Sequence, residues 1–211
     1  MVIRKDIKKF ISTIPENVTL VAATKYVDSS SMRELFDSGI TNFGENRVES
    51  FLEKYASLSD LDIKWHFIGH LQRNKARKVI NKINCLHSLD SLPLAAIINE
   101  YREKPLDCFI EVSINEEENK NGVLVNDTKG FVQECLKYQN IHIVGLMMMA
   151  IANSDTSSLH RQFSKLRLLR DSLEQELSIS IPYLSMGMSD DFLIAIEEGS
   201  THIRLGRILF E

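Results

Sequence analysis

Short apolar runs and longer amphipathic stretches alternate from one end of this 211-residue chain to the other. A chain with that pattern has few ways to hide its apolar groups. The apolar runs lie at 19–24 (TLVAAT), 42–44, 64–69 (KWHFIG), 85–88, 107–112 (DCFIEV), 142–146 (HIVGL), 183–185 and 202–205. Between them, 29–38, 45–56, 72–82, 92–104, 128–139, 157–177 and 190–198 carry helical spacing, and a further helix is predicted over 3–12. Strands that alternate with helices imply βαβ units and a parallel sheet. Eight such strands predict a closed (β/α)8 TIM-like barrel with an extra N-terminal helix. A doubly wound open sheet is the alternative, and it usually has fewer strands. Four prolines, nine glycines and no Pro/Gly/Ser-rich linker leave residues 1–211 as one expected domain.

Composition removes several function classes. A net charge of −4 argues against a general electrostatic grip on nucleic acid, which wants a basic stripe. No run approaches the roughly 20 apolar residues that span a bilayer, and the N-terminus lacks the apolar core of a signal peptide. Cys85, Cys108 and Cys135 are odd in number and lack C-x-x-C spacing, so they read as free thiols of a reduced cytoplasmic protein.

In a barrel of this kind the active site forms at the carboxyl ends of the strands. Lys25 closes the first strand, in VAATK. It is either a strand-end lysine that snorkels to water, or an amine whose pKa desolvation lowers until it attacks an aldehyde. Ser185, Gly187 and Ser189, in SMGMSD, lie between the seventh strand and a helix. They make either an ordinary turn and cap or an anion site built from backbone amides and hydroxyls. Arg204 and Gly206, in RLGR, put a cation and a flexible amide at the end of the eighth strand. Loops after strands seven and eight commonly hold phosphate in such barrels. The two loops with Lys25 describe a phosphate clamp facing an amine, which suits a cofactor bearing both an aldehyde and a phosphate.

Other groups read more plainly. His66, His70 and His87 are expected to be hydrogen-bonded barrel residues, because no carboxylate or cysteine stands at a spacing that supports a metal. Met147, Met148 and Met149 read as gap-filling core. Glu116, Glu117 and Glu118 read as a solvated acidic loop, and Arg73, Lys75, Arg77 and Lys78 as a solvated helix face.

LVAATKYV, NFGENRVESF, KWHFIGHLQRNKARKV, HSLDS, FIEVSINEEENKNGV, IVGLMMMA and LSMGMSDDFLIAIEEGSTHIRLGRILF together resemble the pyridoxal phosphate homeostasis proteins. The resemblance runs from about Val18 to Phe210. It implies the fold type III barrel of pyridoxal phosphate proteins, related to the alanine racemase N-terminal domain. It implies pyridoxal 5'-phosphate as cofactor, with Lys25 as the lysine of the internal aldimine and Asn46 approaching the ring. Ser185 would open the phosphate loop, and Ser189 and the Gly206 amide would approach the phosphate. Arg204 would lie near the pyridine nitrogen, keeping it unprotonated and weakening the cofactor as an electron sink.

The same resemblance implies a role in vitamin B6 homeostasis without catalytic residues, with pyridoxal phosphate-dependent apoenzymes as partners and a monomeric state. The alternative is a small enzyme such as a weak amino acid racemase. Racemases of this fold type use a second domain to supply an opposing acid/base group, and a chain ending at Glu211 is expected to lack it. Two departures from the family pattern fall at the mouth. Arg207 stands where a threonine or serine is usual, and GLMMMA replaces a GLMxxP-like segment.

Overall fold

The computed structural model describes residues 2–115 and 121–211, so the three glutamates Glu116, Glu117 and Glu118 lie outside the described residues. Strands β1 (Thr19–Ala23), β2 (Asn42–Glu45), β3 (Lys64–Phe67), β4 (Cys85–Leu89) and β5 (Leu106–Ser113) are followed by a two-residue strand β6 (Val123–Leu124). Then come β7 (Ile141–Met147), β8 (Tyr183–Ser185) and β9 (His202–Leu205). All pair in parallel in the order β4-β3-β2-β1-β9-β8-β7-β5, and β4 pairs β5 to close the ring. β6 adds only to the edge of β5. The closed barrel therefore has the eight expected strands, and the open-sheet alternative is set aside.

Helices α1 (Ile7–Ile11), α2 (Ser29–Asp37), α3 (Val48–Ser57), α4 (Arg73–Ala76), α5 (Leu92–Tyr101), α6 (Val125–Cys135), α7 (Thr156–Leu177) and α8 (Phe192–Glu197) complete the chain. The larger apolar cluster lies between the ring and these helices, with Phe43, Phe51, Trp65, Leu86 and Leu184 among its members. Phe51 of α3 meets Trp65 of β3 edge-on at 5.3 Å, a geometry favoured by the ring quadrupoles. Burying a side chain of that size contributes about 1.5–3 kcal/mol. A second, smaller cluster of Cys85, Phe109, Val144 and Met147 is separate from it. Among the described residues no helix is long and apolar enough to cross a membrane.

Three predicted helices change on inspection. The one over 3–12 shrinks to α1, because Ile3 pairs antiparallel with Phe210 and so ties the N-terminus to the chain end. The one over 45–56 starts only at Val48, since Glu45 still belongs to β2 and Arg47 is extended. The one over 72–82 keeps a single turn, α4. Beyond it the amides of Lys78, Val79 and Lys82 bond three residues back, as in turns. Val79, Ile80 and Ile83, all β-branched and all buried, together with Asn81 and Asn84, favour those turns over a regular helix. Asn84 accepts from the Trp65 amide at 2.8 Å, and Asn81 donates to the Tyr101 carbonyl at 3.0 Å.

Candidate functional site

Lys25 and Asn46 meet because of register. Ala23 of β1 is paired with Gly44 of β2, so the residues two further on emerge side by side at the carboxyl end of the ring. On the other side Ala22 is paired with Leu205 of β9, which brings Gly206 against the carbonyl of Ala23. A Cβ on Gly206 would stand 3.3 Å from that oxygen. These three strand ends and the loop after β8 enclose a cavity of about 300 Å³. Small-molecule sites begin at about that size. Lys25, Asn46, Ser189, Arg204 and Gly206 line it, together with Tyr26 and Arg207.

Two of the expected residues sit behind the cavity. Ser185 is fully buried inside the ring, and its hydroxyl accepts from Arg204 Nη1 at 2.6 Å. Gly187 adopts φ +94°, and its carbonyl accepts from the Arg204 amide at 2.9 Å. A Cβ there would come within 2.6 Å of the Ala195 methyl, so the loop lies tightly on α8. The loop is further closed by Asp191, whose carboxylate accepts from the Met188 amide at 2.6 Å. Ser189 Oγ is met by two backbone amides, Gly206 at 3.3 Å and Ile208 at 3.4 Å. Paired amides aimed at one oxygen form a small anion cradle.

Charge at this mouth is unevenly screened. Burial pulls the Arg204 guanidinium down to about 10, against the opposing effect of Glu111 and Asp191. Burial, with Asp90 adding to it, pushes the Glu111 carboxyl up to about 7. Burial also raises Asp191. Of the two readings of Lys25, the structure shows the one that reaches water: the residue is exposed, and its ammonium lies 4.8 Å from the Tyr26 ring centroid. Lys25 stands at the very end of an apolar strand, where the chain leaves the barrel wall. Arg207 pairs with Asp190 across the opening, and both are exposed.

Beneath Lys25 and Asn46 runs a buried ion pair that the sequence pattern did not reveal. Strand alternation turns Thr24 and Glu45 to the opposite face from their neighbours. Lys54 Nζ donates to Glu45 Oε1 at 2.5 Å and to the Thr24 carbonyl at 2.6 Å. Thr24 Oγ1 and Ser50 Oγ donate to the same carboxylate at 2.5 and 3.2 Å. A charged residue following Phe43-Gly44 on the helix-facing side of a strand was the available signal. Gly69 packs on Asn46 from the next strand end, where a Cβ would lie 2.5 Å from the Asn46 carbonyl oxygen.

The histidines separate. His70 is exposed and bonded to Asp90 at 2.9 Å. His66 and His87 are buried and bonded to each other at 2.9 Å. The spacing argument against a supporting cysteine does not survive folding, since Cys85 brings its sulfur within 4.8 Å of ligand atoms on both imidazoles. Cys85 and His87 are neighbours on the inner face of β4, a period-two relation legible in C-L-H. Met147 and Met148 are buried as expected, whereas Met149 is half exposed at the rim. Lys75 pairs with Glu49, and Arg77 stacks 3.5 Å over Tyr101, which leaves the basic run a surface face.

Fold and pocket geometry define a (β/α)8-barrel protein with a small-molecule cavity at the carboxyl ends of its strands. The sequence matches the family described as "Alanine racemase, N-terminal domain" over residues 3–211. It is 42% identical over 194 residues to the pyridoxal phosphate homeostasis protein of Aquifex aeolicus, covering 90% of this chain and 85% of that protein. PipY of Synechococcus elongatus, solved without PLP, superposes with a TM-score of 0.93 at 32% identity, covering 98% of this chain and 99% of that one. The form of PipY with PLP bound gives 0.90 at 31% identity, covering 97% and 100%. The chain belongs to the family of pyridoxal phosphate homeostasis proteins.

Proposed function

We propose that this protein binds pyridoxal 5'-phosphate in the cavity at the carboxyl end of the barrel and serves vitamin B6 homeostasis as a carrier rather than a turnover enzyme. The observation that supports this most is the sharing of one cavity by an accessible amine, Lys25, and the amide pair on Ser189. The residues fit the group. Glycine at 206 keeps a Cβ from crowding the Ala23 carbonyl at the edge of the cavity, and a phosphate oxygen in place of Ser189 Oγ would receive the amides of Gly206 and Ile208. Lys25 would hold the cofactor, its accessible amine facing the group's aldehyde. When bound, the group supplies a reactive carbonyl conjugated to a pyridine ring.

The protein's own residues do the rest. Asn46 would border the cofactor ring, and Arg204 would offer it the N–H groups not committed to Ser185 and Met148. Ser189 and Gly206 would hold the phosphate end, while Ser185 and Gly187 fix Arg204 from behind. A racemase would need an acid/base group across the ring from Lys25. Of the ionisable residues lining the cavity, Asp190 and Arg207 engage each other, Arg204 is buried, and Tyr26 is the immediate neighbour of Lys25. We further propose that the barrel of residues 1–211 acts as one cofactor-binding domain. In this reading it is a cytoplasmic monomer that passes cofactor to pyridoxal phosphate-dependent apoenzymes. Borohydride reduction of the cofactor-saturated protein, followed by peptide mass mapping, tests the attachment. The cofactor's mass is expected on Lys25; reduced protein carrying no added mass, or carrying it on another lysine, overturns the assignment.

A further inference from the structure

The barrel interior holds a row of hydrogen bonds that runs from the cavity through the ring to the start of β2. Arg204 Nη1 meets Ser185 Oγ at 2.6 Å, and Ser185 Oγ meets His87 Nδ1 at 2.8 Å. His87 Nε2 meets His66 Nδ1 at 2.9 Å, and His66 Nε2 meets Asn42 Oδ1 at 3.0 Å. Ser185 and His87 are fully buried, and His66 and Arg204 nearly so.

The protons in this row can be placed by elimination. A guanidinium only donates, so Ser185 Oγ accepts from Arg204. The one hydroxyl proton of Ser185 then needs an acceptor. Among the described residues its other contact is His87 Nδ1, so that nitrogen carries a lone pair. Were Nδ1 protonated, the hydroxyl proton would be buried without a partner, at a cost of about 1–3 kcal/mol. A neutral His87 therefore has its proton on Nε2 and donates to His66 Nδ1. His66 in turn has its proton on Nε2 and donates to Asn42 Oδ1. The Asn42 amide is oriented for this, since its Nδ2 faces Thr41 Oγ1 at 3.4 Å. Burial lowers the pKa of both imidazoles, His66 to about 3, which keeps them neutral as the row requires.

We infer that His87 and His66 are positioning residues for Arg204, and that the one-way row Arg204–Ser185–His87–His66–Asn42 fixes both imidazoles as the Nε2–H tautomer. Arg204 Nη2 is also committed, to the Met148 carbonyl at 2.9 Å. The guanidinium is thereby held at two corners, and its remaining N–H groups are left for whatever occupies the cavity. Each link depends on the next: a donor at residue 42 or 66 facing back along the row would leave the Ser185 proton stranded. The row is a property of the barrel itself. Only its effect on the cofactor rests on the function proposed above.

The test is long-range 1H–15N NMR on the full chain with labelled histidine, without and with pyridoxal phosphate. His66 and His87 are both expected as neutral Nε2–H tautomers in either sample. An Nδ1–H tautomer or an imidazolium at either residue at neutral pH overturns the row. His66→Phe removes the acceptor for the His87 Nε2–H; the proton is expected to stay on Nε2, because Ser185 still donates to Nδ1, and the donor stranded in the row is expected to lower affinity for pyridoxal phosphate about tenfold. His66→Gln, which accepts and donates in the same direction, is expected to keep the His87 tautomer and most of the affinity. Unchanged affinity in His66→Phe, or equal loss in both variants, overturns the positioning role. Should His66→Phe fail to fold, the wild-type tautomers and the His66→Gln affinity still decide. Wild-type protein that fails to bind the cofactor would refute the proposed function, and the tautomers would still decide whether the row exists.

Discussion

Lys54→Met probes the ion pair that underlies the strand ends carrying Lys25 and Asn46. Glu45 is wholly shielded from solvent, and the ammonium 2.5 Å away is its sole cationic partner among the described residues. Methionine keeps the apolar stem but strands the carboxylate. Breaking a buried pair from one side costs about 3–5 kcal/mol. The hydroxyls of Thr24 and Ser50 still donate to Glu45, which places the expected cost at the low end, about 3 kcal/mol. For a domain of this size each kcal/mol moves the melting temperature by about 2–4 °C, so a fall of roughly 6–12 °C is expected. Urea unfolding followed by circular dichroism gives the free energy, and thermal melts give the shift. The double variant Lys54→Met/Glu45→Met removes both charges and is expected to recover most of the loss, because well-packed apolar side chains often replace a buried pair at no cost. A single variant within about 1 kcal/mol of wild type, or a double variant worse than the single, refutes the reasoning.

Acidification should destabilise the barrel. His66 and His202, at about 3 and 4 when folded against an ordinary 6.5, take up protons on unfolding as pH falls from 6.5 towards 4, so stability drops across that window. Glu111, raised from 4.5 to about 7, acts in the opposite sense: its contribution is full below 4.5 and is lost as pH rises to 7. Urea midpoints should therefore fall gently from pH 6.5 to 4.5 and more steeply below, and Glu111→Gln should steepen the upper part; midpoints that rise on acidification contradict this. Gly187→Ala forces a side chain into φ +94° and against Ala195, and should cost at least about 1–3 kcal/mol in the same assay. Asp190→Asn releases Arg207 from its partner, and titration should show inorganic phosphate bound a few-fold more tightly; weaker binding would mean that Arg207 faces away from the anion.

Most of the fold was readable from periodicity. Strands 183–185 and 202–205 fall where alternation puts them, and the ring follows from counting βα units. The failures have local causes. The α4 region looked helical because its apolar residues recur every three to four positions, yet Val79, Ile80 and Ile83 are buried in turns that asparagines stabilise. β6 is two residues long and has no period to detect. At the site, Lys25, Asn46, Ser189, Arg204 and Gly206 are all strand-end or loop residues, and their meeting follows from parallel register. The inward row was not legible. Ser185, His87 and His66 sit on three different strands, and only closure of the barrel turns them towards each other. The Glu45–Lys54 pair joins a strand to the following helix across nine residues, a separation no local pattern marks.

The absorption spectrum of the purified protein titrated with pyridoxal phosphate, wild type against Lys25→Ala, tests the central claim most directly. A protonated covalent adduct absorbs to the red of the free aldehyde. This band is expected to grow to one equivalent in the wild type and to be absent from the variant, which keeps weaker, non-covalent binding through Ser189 and Gly206. A band of equal strength in both proteins, or in neither, contradicts it.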